Sequence, residues 1–348
     1  MESAFLDESC LSDELNHIMV EFPLKDQFDY LQKLHSCSIT YEGSASTSKE
    51  VLCLPTPLTG EHFAFLLERR KAVGSDSTER SAAVSLCPDV YGSYVAQSVF
   101  DLSDDKYKER FTDQFLGQTK YLSLHTYGCR LIQKSLQSLC TEYKNKIFNQ
   151  LQNDLITYIC HQNGNHVIQK CVEVLPSTHI DTIISNIEEY LPFLCSHAYG
   201  CRIVQRIYEI GNTNQINRLN EKIVKKVHLI KNRYGNYVIQ KCFEHSDDTV
   251  RFAITDEIVS DIYKLSSHKY ACNIIEKILL KKEYKYKKKI IKKIVNDISD
   301  GNDSIITICK DCYGNFMMQK LLTTCRRKER TLIVKTIIEN VDKLKDET

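Results

Sequence analysis

A chain of 348 residues with 42% hydrophobic and 26% charged side chains, six Pro and twelve Gly has an ordinary globular composition, which excludes a low-complexity or collagen-like chain. No apolar run approaches the roughly 18–20 residues a membrane span needs, so no membrane role is expected. The formal net charge of +1 hides an asymmetry: residues 1–50 carry ten Asp/Glu against three Lys, a net of −7, which leaves +8 for the remainder.

The N-terminus, Met1 to Glu8, is acidic and lacks the basic region and apolar core of a secretory signal. The 15 cysteines are therefore read in a reducing compartment, mostly as small buried apolar residues. Residues 1–50 read as an acidic extension or cap: Ile18, Met19, Phe22, Phe28, Leu31 and Leu34 recur at loosely helical spacing, interrupted by Pro23, and Ser44–Ser48 reads as a loop. Gly60-Glu61-His62-Phe63-Ala64-Phe65 shares its apolar frame with a stretch that recurs from Tyr91 onward, but lacks that stretch's Gln. It reads as a degenerate first repeat, and Val73–Ser81 as a polar connection.

The recurring stretch is clearest at Tyr234-Gly235-Asn236-Tyr237-Val238-Ile239-Gln240-Lys241. It is matched by stretches starting at Tyr91, Tyr127, Asn163, Tyr199 and Tyr313, and at Tyr270 with Ala271 for Gly and Glu276 for Gln. The markers Gly92, Gly128, Gly164 and Gly200 stand 36 residues apart, then come steps of 35, 36 and 43, the last implying an insertion of about seven residues. A fixed period of this size predicts a solenoid whose units bury their apolar faces on each other, with residues 51–348 as one repeat domain. Segments such as Ile180, Ile183, Ile187, Leu191 and Ile216, Leu219, Ile223, Val227 have helical spacing, so the architecture is read as all-α, and each signature stretch opens a longer helix.

Each copy carries a polar pair at i and i+4, which places both side chains on one helix face. The pairs are Ser93/Gln97, Cys129/Gln133, Asn165/Gln169, Cys201/Gln205, Asn236/Gln240, Cys272/Glu276 and Asn315/Gln319. A structural ladder of polar groups running from repeat to repeat has no reason to alternate its identities; a reader of different bases does. An Asn plus a Gln can match uracil's two acceptors around one donor, a Gln with a small neighbour suits adenine, and an acceptor-only carboxylate suits guanine's adjacent donors. The residues after the first members are Tyr94, Arg130, His166, Arg202, Tyr237, Asn273 and Phe316, mostly rings or guanidinium planes on which unstacked bases stack. Lys134, Lys170, Arg206, Lys241, Lys277 and Lys320 follow the second members, as phosphate contacts or as solvated surface.

Lys281–Lys293 holds eight lysines in thirteen residues, and reads as a solvated helix, a phosphate or partner contact, or a nuclear-localisation patch. Cys309 and Cys312 form a lone C-x-x-C without a second pair for zinc, and read as part of a repeat's turn. No metal, cofactor or catalytic constellation is expected: there is no phosphate-cradling Gly-rich loop, zinc-hydrolase helix or nucleophile elbow.

On these seven signatures the chain resembles the Pumilio (PUF) family of single-stranded RNA-binding proteins. The resemblance implies an α-solenoid of about eight three-helix repeats in a curved arc. It reads RNA on the concave side, one base per repeat, with the 5′ end on the C-terminal repeats. Carried onto the pairs, the family's code implies U at Asn315/Gln319, G at Cys272/Glu276, U at Asn236/Gln240, A at Cys201/Gln205, U at Asn165/Gln169 and A at Cys129/Gln133. The implied target begins 5′-UGUAUA, with Ser93/Gln97 accepting A. Cys272 stands where the family usually has Ser. The family also implies a monomeric cytoplasmic binder of mRNA 3′ untranslated regions, lowering translation or stability through co-regulator proteins on its convex face. Alternatives are a nucleolar relative in ribosome assembly and an armadillo-type scaffold for peptides.

Overall fold

The computed structural model describes residues 90–345. The acidic extension 1–50, the degenerate repeat near Gly60 and the connection Val73–Ser81 lie outside the described residues. The described residues form helices and turns with no strand, and divide into two compact units, the first running to Tyr143 and the second beginning at Lys144.

In the first unit, α1 (Val90–Leu102) packs on α4 (Gly128–Ser138), and α2 (Asp105–Asp113) and the short α3 (Thr119–Leu124) lie between them in the chain. Asp104 caps α2 by accepting from the Tyr107 N–H at 2.9 Å. Phe111 holds the unit's core by meeting Phe100 and Phe115 edge to face at 5.8 and 5.7 Å. The next helix, α5 (Thr141–Leu151), spans the boundary between the units.

In the second unit a three-helix pattern repeats: a short helix, a signature helix and an amphipathic helix. The short helices are α6 (Leu155–Ile159) and α9 (Leu191–Cys195). They are followed by the signature helices α7 (Gly164–Val174) and α10 (Gly200–Ile210), then by α8 (Ser177–Ile187) and α11 (Thr213–Ile223). The third repeat replaces its short helix with a 3-10 segment, Val224–Lys231, kinked at Lys226, before α12 (Gly235–His245) and α13 (Asp248–Ser260). Then come α14 (Ile262–Ser266), α15 (Ala271–Leu280) and α16 (Tyr284–Ser299), and finally α17 (Ser304–Lys310), α18 (Gly314–Thr324), α19 (Arg327–Glu339) and α20 (Val341–Lys345).

Like packs against like. The signature helices α7, α10, α12, α15 and α18 form one row, each against the next, and α8 packs on α11, α13 on α16 and α16 on α19 in a second row. The core lies between the rows: Ile203, Val204 and Ile207, then Val238, Ile239 and Cys242, then Ile274, Ile275 and Ile278 are all buried at the same register. The insertion implied by the step of 43 residues is in α16, which has sixteen residues where α8 and α11 have eleven, and in the turn at Gly301, whose φ of +78° favours glycine. Lys285 and Lys289 on this helix pair with Asp248 and Asp256 of α13, and Lys293 with Asp297 one turn along its own helix. Part of the lysine cluster therefore joins one outer helix to the next.

The signature glycines have a packing reason. A Cβ on Gly164 would stand 2.7 Å from the Tyr158 carbonyl oxygen and 2.9 Å from its Cα, both main-chain atoms of α6. The glycine lets the signature helix lie directly on the short helix before it, and Ala271 is the single departure among the described copies that start with a helix of this kind.

Candidate nucleic-acid interface

From the Gly128 copy onward, each signature helix starts at a turn closed by the residue three before the glycine, or before Ala271. The Nδ1 atoms of His125, His161 and His197 accept from the next-but-one and glycine N–H groups at 3.1–3.3 Å. His268 does the same before Ala271, and Asn232 and Asp311 use Oδ1 instead, at 2.7–2.9 Å. An imidazole nitrogen, an amide oxygen and a carboxylate oxygen each supply the acceptor that an uncapped helix start lacks. Sequence reasoning missed this series, although its fixed offset from the glycine is legible once the copies are aligned.

The turn holds the first member of each pair. Asn165, Asn236 and Asn315 donate both amide hydrogens to the carbonyls four and three residues back, at 2.7–3.0 Å. Each Oδ1 then faces along the helix and accepts from the second member: Gln169 at 2.9 Å, Gln240 at 3.0 Å and Gln319 at 3.3 Å. Where the first member is Cys, the thiol donates back to the turn, and Gln133 and Gln205 donate to the main-chain carbonyls of Cys129 and Cys201, both at 3.1 Å. Gln97 likewise donates to the Ser93 carbonyl at 3.0 Å. These bonds stay inside one repeat; none of those made by the Asn and Gln members runs to a neighbouring repeat, as a structural ladder of amides would require.

The members differ in access. Asn165 and Asn236 are 0% exposed, and Ser93, Cys129, Cys201 and Cys272 are also buried, whereas Asn315 is half-buried. Gln97, Gln133, Gln169, Gln205 and Glu276 are half-buried, Gln319 is exposed, and Gln240 is 9% exposed. The sequence placed both members of a pair on one face, and the structure brings them together. It also puts the first beneath the second, so the second offers the atoms open to a ligand. Burial pushes the Glu276 carboxyl above its ordinary pKa, and the charge of Lys320 pulls it partly back. Burial likewise raises the Cys201 and Cys272 thiols to about 11, so they remain neutral.

One helical turn away stand the stacking positions. Phe316 is 56% and Tyr237 48% exposed, unusual for large rings; His166 and Arg202 are exposed and Tyr94, Arg130 and Asn273 half-buried.

Five of the six cations in the basic column are ion-paired, and Lys320 is exposed. In the second unit Lys170 pairs with Glu173 at 2.5 Å, Glu173 with Arg206 at 3.3 Å, and Arg206 with Glu209 at 2.7 Å. Glu209 pairs with Lys241 at 2.7 Å, Lys241 with Glu244 at 3.6 Å, and Glu244 with Lys277 at 2.6 Å. The acids three residues after Lys170, Arg206 and Lys241 convert this part of the column into a ladder of alternating charge across α7, α10, α12 and α15. In the first unit Lys134 pairs with Asp101 at 2.5 Å. Cys309 is half-buried at the end of α17 and Cys312 exposed in the turn after it; among the described residues no group of three His, Cys, Asp or Glu could hold a metal ion, and no helix is long and apolar enough to cross a membrane.

A family model described as the Pumilio-family RNA binding repeat matches residues 83–114, 120–152, 156–188, 193–219, 227–259, 261–295 and 304–338, more than half of the chain. Among curated proteins, Pumilio homolog 12 of Arabidopsis thaliana is 27% identical over 117 residues, 34% of this chain and 19% of that protein. The mRNA-binding protein PUF3 of Saccharomyces cerevisiae is 34% identical over 102 residues, 27% of this chain and 12% of that protein. The chain thus spans about a fifth or less of the length of such relatives. Among solved structures, the Puf3 RNA binding domain bound to Cox17 RNA 3′ UTR recognition sequence site A has a TM-score of 0.72 and 28% identity, covering 91% of this chain and 97% of that one. PUF-8 in complex with PBE-RNA has a TM-score of 0.72 and 25% identity, covering 81% and 86%.

Proposed function

Since this chain belongs to the Pumilio family of RNA-binding repeat proteins, we propose that it reads single-stranded RNA beginning 5′-UGUAUA, one base per signature helix, in the 3′ untranslated regions of mRNA. The observation that carries the reading is the alternation of anchors beneath the second members. A glutamine amide by itself offers one donor and one acceptor, and either adenine or uracil can satisfy it. In Asn165/Gln169, Asn236/Gln240 and Asn315/Gln319 the Gln nitrogen is held by a side-chain oxygen; in Cys129/Gln133 and Cys201/Gln205 it is held by the main chain. In both classes the Gln nitrogen is turned back onto its own helix, leaving Oε1 and the second N–H outward. What differs is the first member beside that amide, an Asn side chain or a small thiol, and this difference is what would separate uracil from adenine. Glu276, with acceptors only, takes guanine's donors. Tyr237, Phe316 and the other residues one turn away stack on the bases and add affinity without choice.

Regulation follows from binding without catalysis: a monomer, working in the cytoplasm, would recruit co-regulator proteins that lower translation or message stability. The 3′ untranslated region as target is supported by the similar Puf3 RNA binding domain, which is bound to a 3′ UTR recognition sequence. A fluorescence titration tests the base reading. 5′-UGUAUAUA should bind well, and changing its G should weaken binding by about 1–3 kcal/mol. Replacing Asn236→Ser with Gln240→Glu should move the third base from U toward G. Equal affinity for the two RNAs in the parent, or an unmoved preference for U in the double variant, would refute the assignment.

A further inference from the structure

Arg233 and Lys269 are exposed cations beside the reading helices, and neither has a carboxylate within ion-pairing distance among the described residues. They occupy the same position in two consecutive repeats, three residues before Asn236 and Cys272. The other copies have Val90, Thr126, Gln162, Ala198 and Cys312 there, none of them cationic. Both are tied to the pairs: the Arg233 carbonyl accepts from Asn236 Nδ2 at 3.0 Å, and the Lys269 carbonyl from the Cys272 thiol at 3.4 Å. One turn further along the same face stand the stacking residues Tyr237 and Asn273.

The Arg233 guanidinium lies 4.8 Å from the Tyr234 ring centroid, and the Lys269 ammonium 5.6 Å from that of Tyr270. A ring face orients a cation without neutralising it. The cations beyond the pairs are in the opposite condition, since Lys241 and Lys277 are bound to Glu209 and Glu244. The N–H groups at the start of α12 are taken by Asn232, so main-chain amides there are not open to an anion either.

Resting on the reading of this face as RNA-binding, we propose that Arg233 and Lys269 hold two phosphodiesters of the RNA strand, beside the nucleotides met by Asn236/Gln240 and Cys272/Glu276. Arginine grips a phosphate through two parallel N–H groups and lysine as a point charge. Such contacts set the strand's register and carry no base information.

The test is the salt dependence of binding, using the full chain and fluorescein-labelled 5′-UGUAUAUA. Each phosphate held on a single strand contributes about 0.7 to the slope of log affinity against log salt. The double variant Arg233→Gln/Lys269→Gln should therefore lose about 1.4 of that slope. Its fold-preference for 5′-UGUAUAUA over 5′-UAUAUAUA should match the parent's. Lys241→Gln should keep the parent slope, and Ala198→Lys, which puts a cation at the same position of α10, should steepen it by about 0.7. An unchanged slope in the double variant, or a changed base preference at constant slope, overturns the proposal. A parent that binds both RNAs equally would instead defeat the base assignments, and the slope would still decide the phosphate contacts.

Discussion

At Glu276 the chemistry of one residue makes a pH-dependent prediction. Its carboxyl must be ionised to present only acceptors to guanine, and burial raises its pKa while Lys320 opposes the rise. The acceptor is thus fully present above that raised pKa and is lost as pH falls through it, sooner than for an ordinary exposed glutamate. We expect the preference for G over A at the second base to decline as pH falls through that raised pKa, at a higher pH than an exposed glutamate would require. The preference for U at the third base, which rests on the non-titrating pair Asn236/Gln240, should hold. Glu276→Gln should remove the pH dependence together with the preference for G. Parallel titrations at both positions check this, and a G preference that stays flat down to the ordinary glutamate pKa of 4.5 would show that Glu276 does not contact the base as an anion.

Between helices, the ladder from Lys170 to Lys277 is the feature that sequence alone did not reveal. The cations were legible as a column because each follows a second member; their acids were not, because a salt bridge between repeats depends on how far each helix is displaced from the last. Glu173, Glu209 and Glu244 each stand three residues after a cation, and only the packing shows that they also reach the next helix. The repeat spacing, helix type and paired positions were readable, since each follows from periodicity within one copy. Burial of Asn165 and Asn236 was not, because an i and i+4 pattern gives the face and not the depth. If the ladder ties α10 to α12, Glu209→Gln, which strips a partner from both Arg206 and Lys241, should cost about 1 kcal/mol, the upper end for half-exposed pairs. Melting curves should show the deficit at low salt and a smaller one near 1 M, where charges are screened within about 3 Å. Identical melts at both salts would reduce the ladder to a row of solvated charges.

Across the whole molecule, the proposed reading gives the RNA strand a direction, with its 5′ end on the C-terminal repeats. In a solenoid each repeat is stabilised by its neighbours, so a ligand protects the repeats it touches and adjoining ones before it protects distant ones. The proposed reading puts the 5′ bases U, G and U on α18, α15 and α12, and later bases on α10 and α7. The excess of exposed lysine and arginine in the C-terminal repeats, including Lys282, Lys288, Arg327 and Lys328, would draw the strand to that end as it associates. Two RNAs separate this arrangement from its reverse. With 5′-UGUCCCCC, amide hydrogen exchange should slow in Gly235–His245, Ala271–Leu280 and Gly314–Thr324 while Gly164–Val174 exchanges as in the free protein. With 5′-UGUAUAUA the protection should extend through Gly200–Ile210 to Gly164–Val174. At a free RNA concentration about 100 times Kd, binding should add about 2.7 kcal/mol to the protected openings, a slowing of roughly a hundredfold that exchange resolves easily. Protection by 5′-UGUCCCCC that appeared first at Gly164–Val174 would mean the strand runs the other way, and every base assigned to a helix would have to be reversed with it.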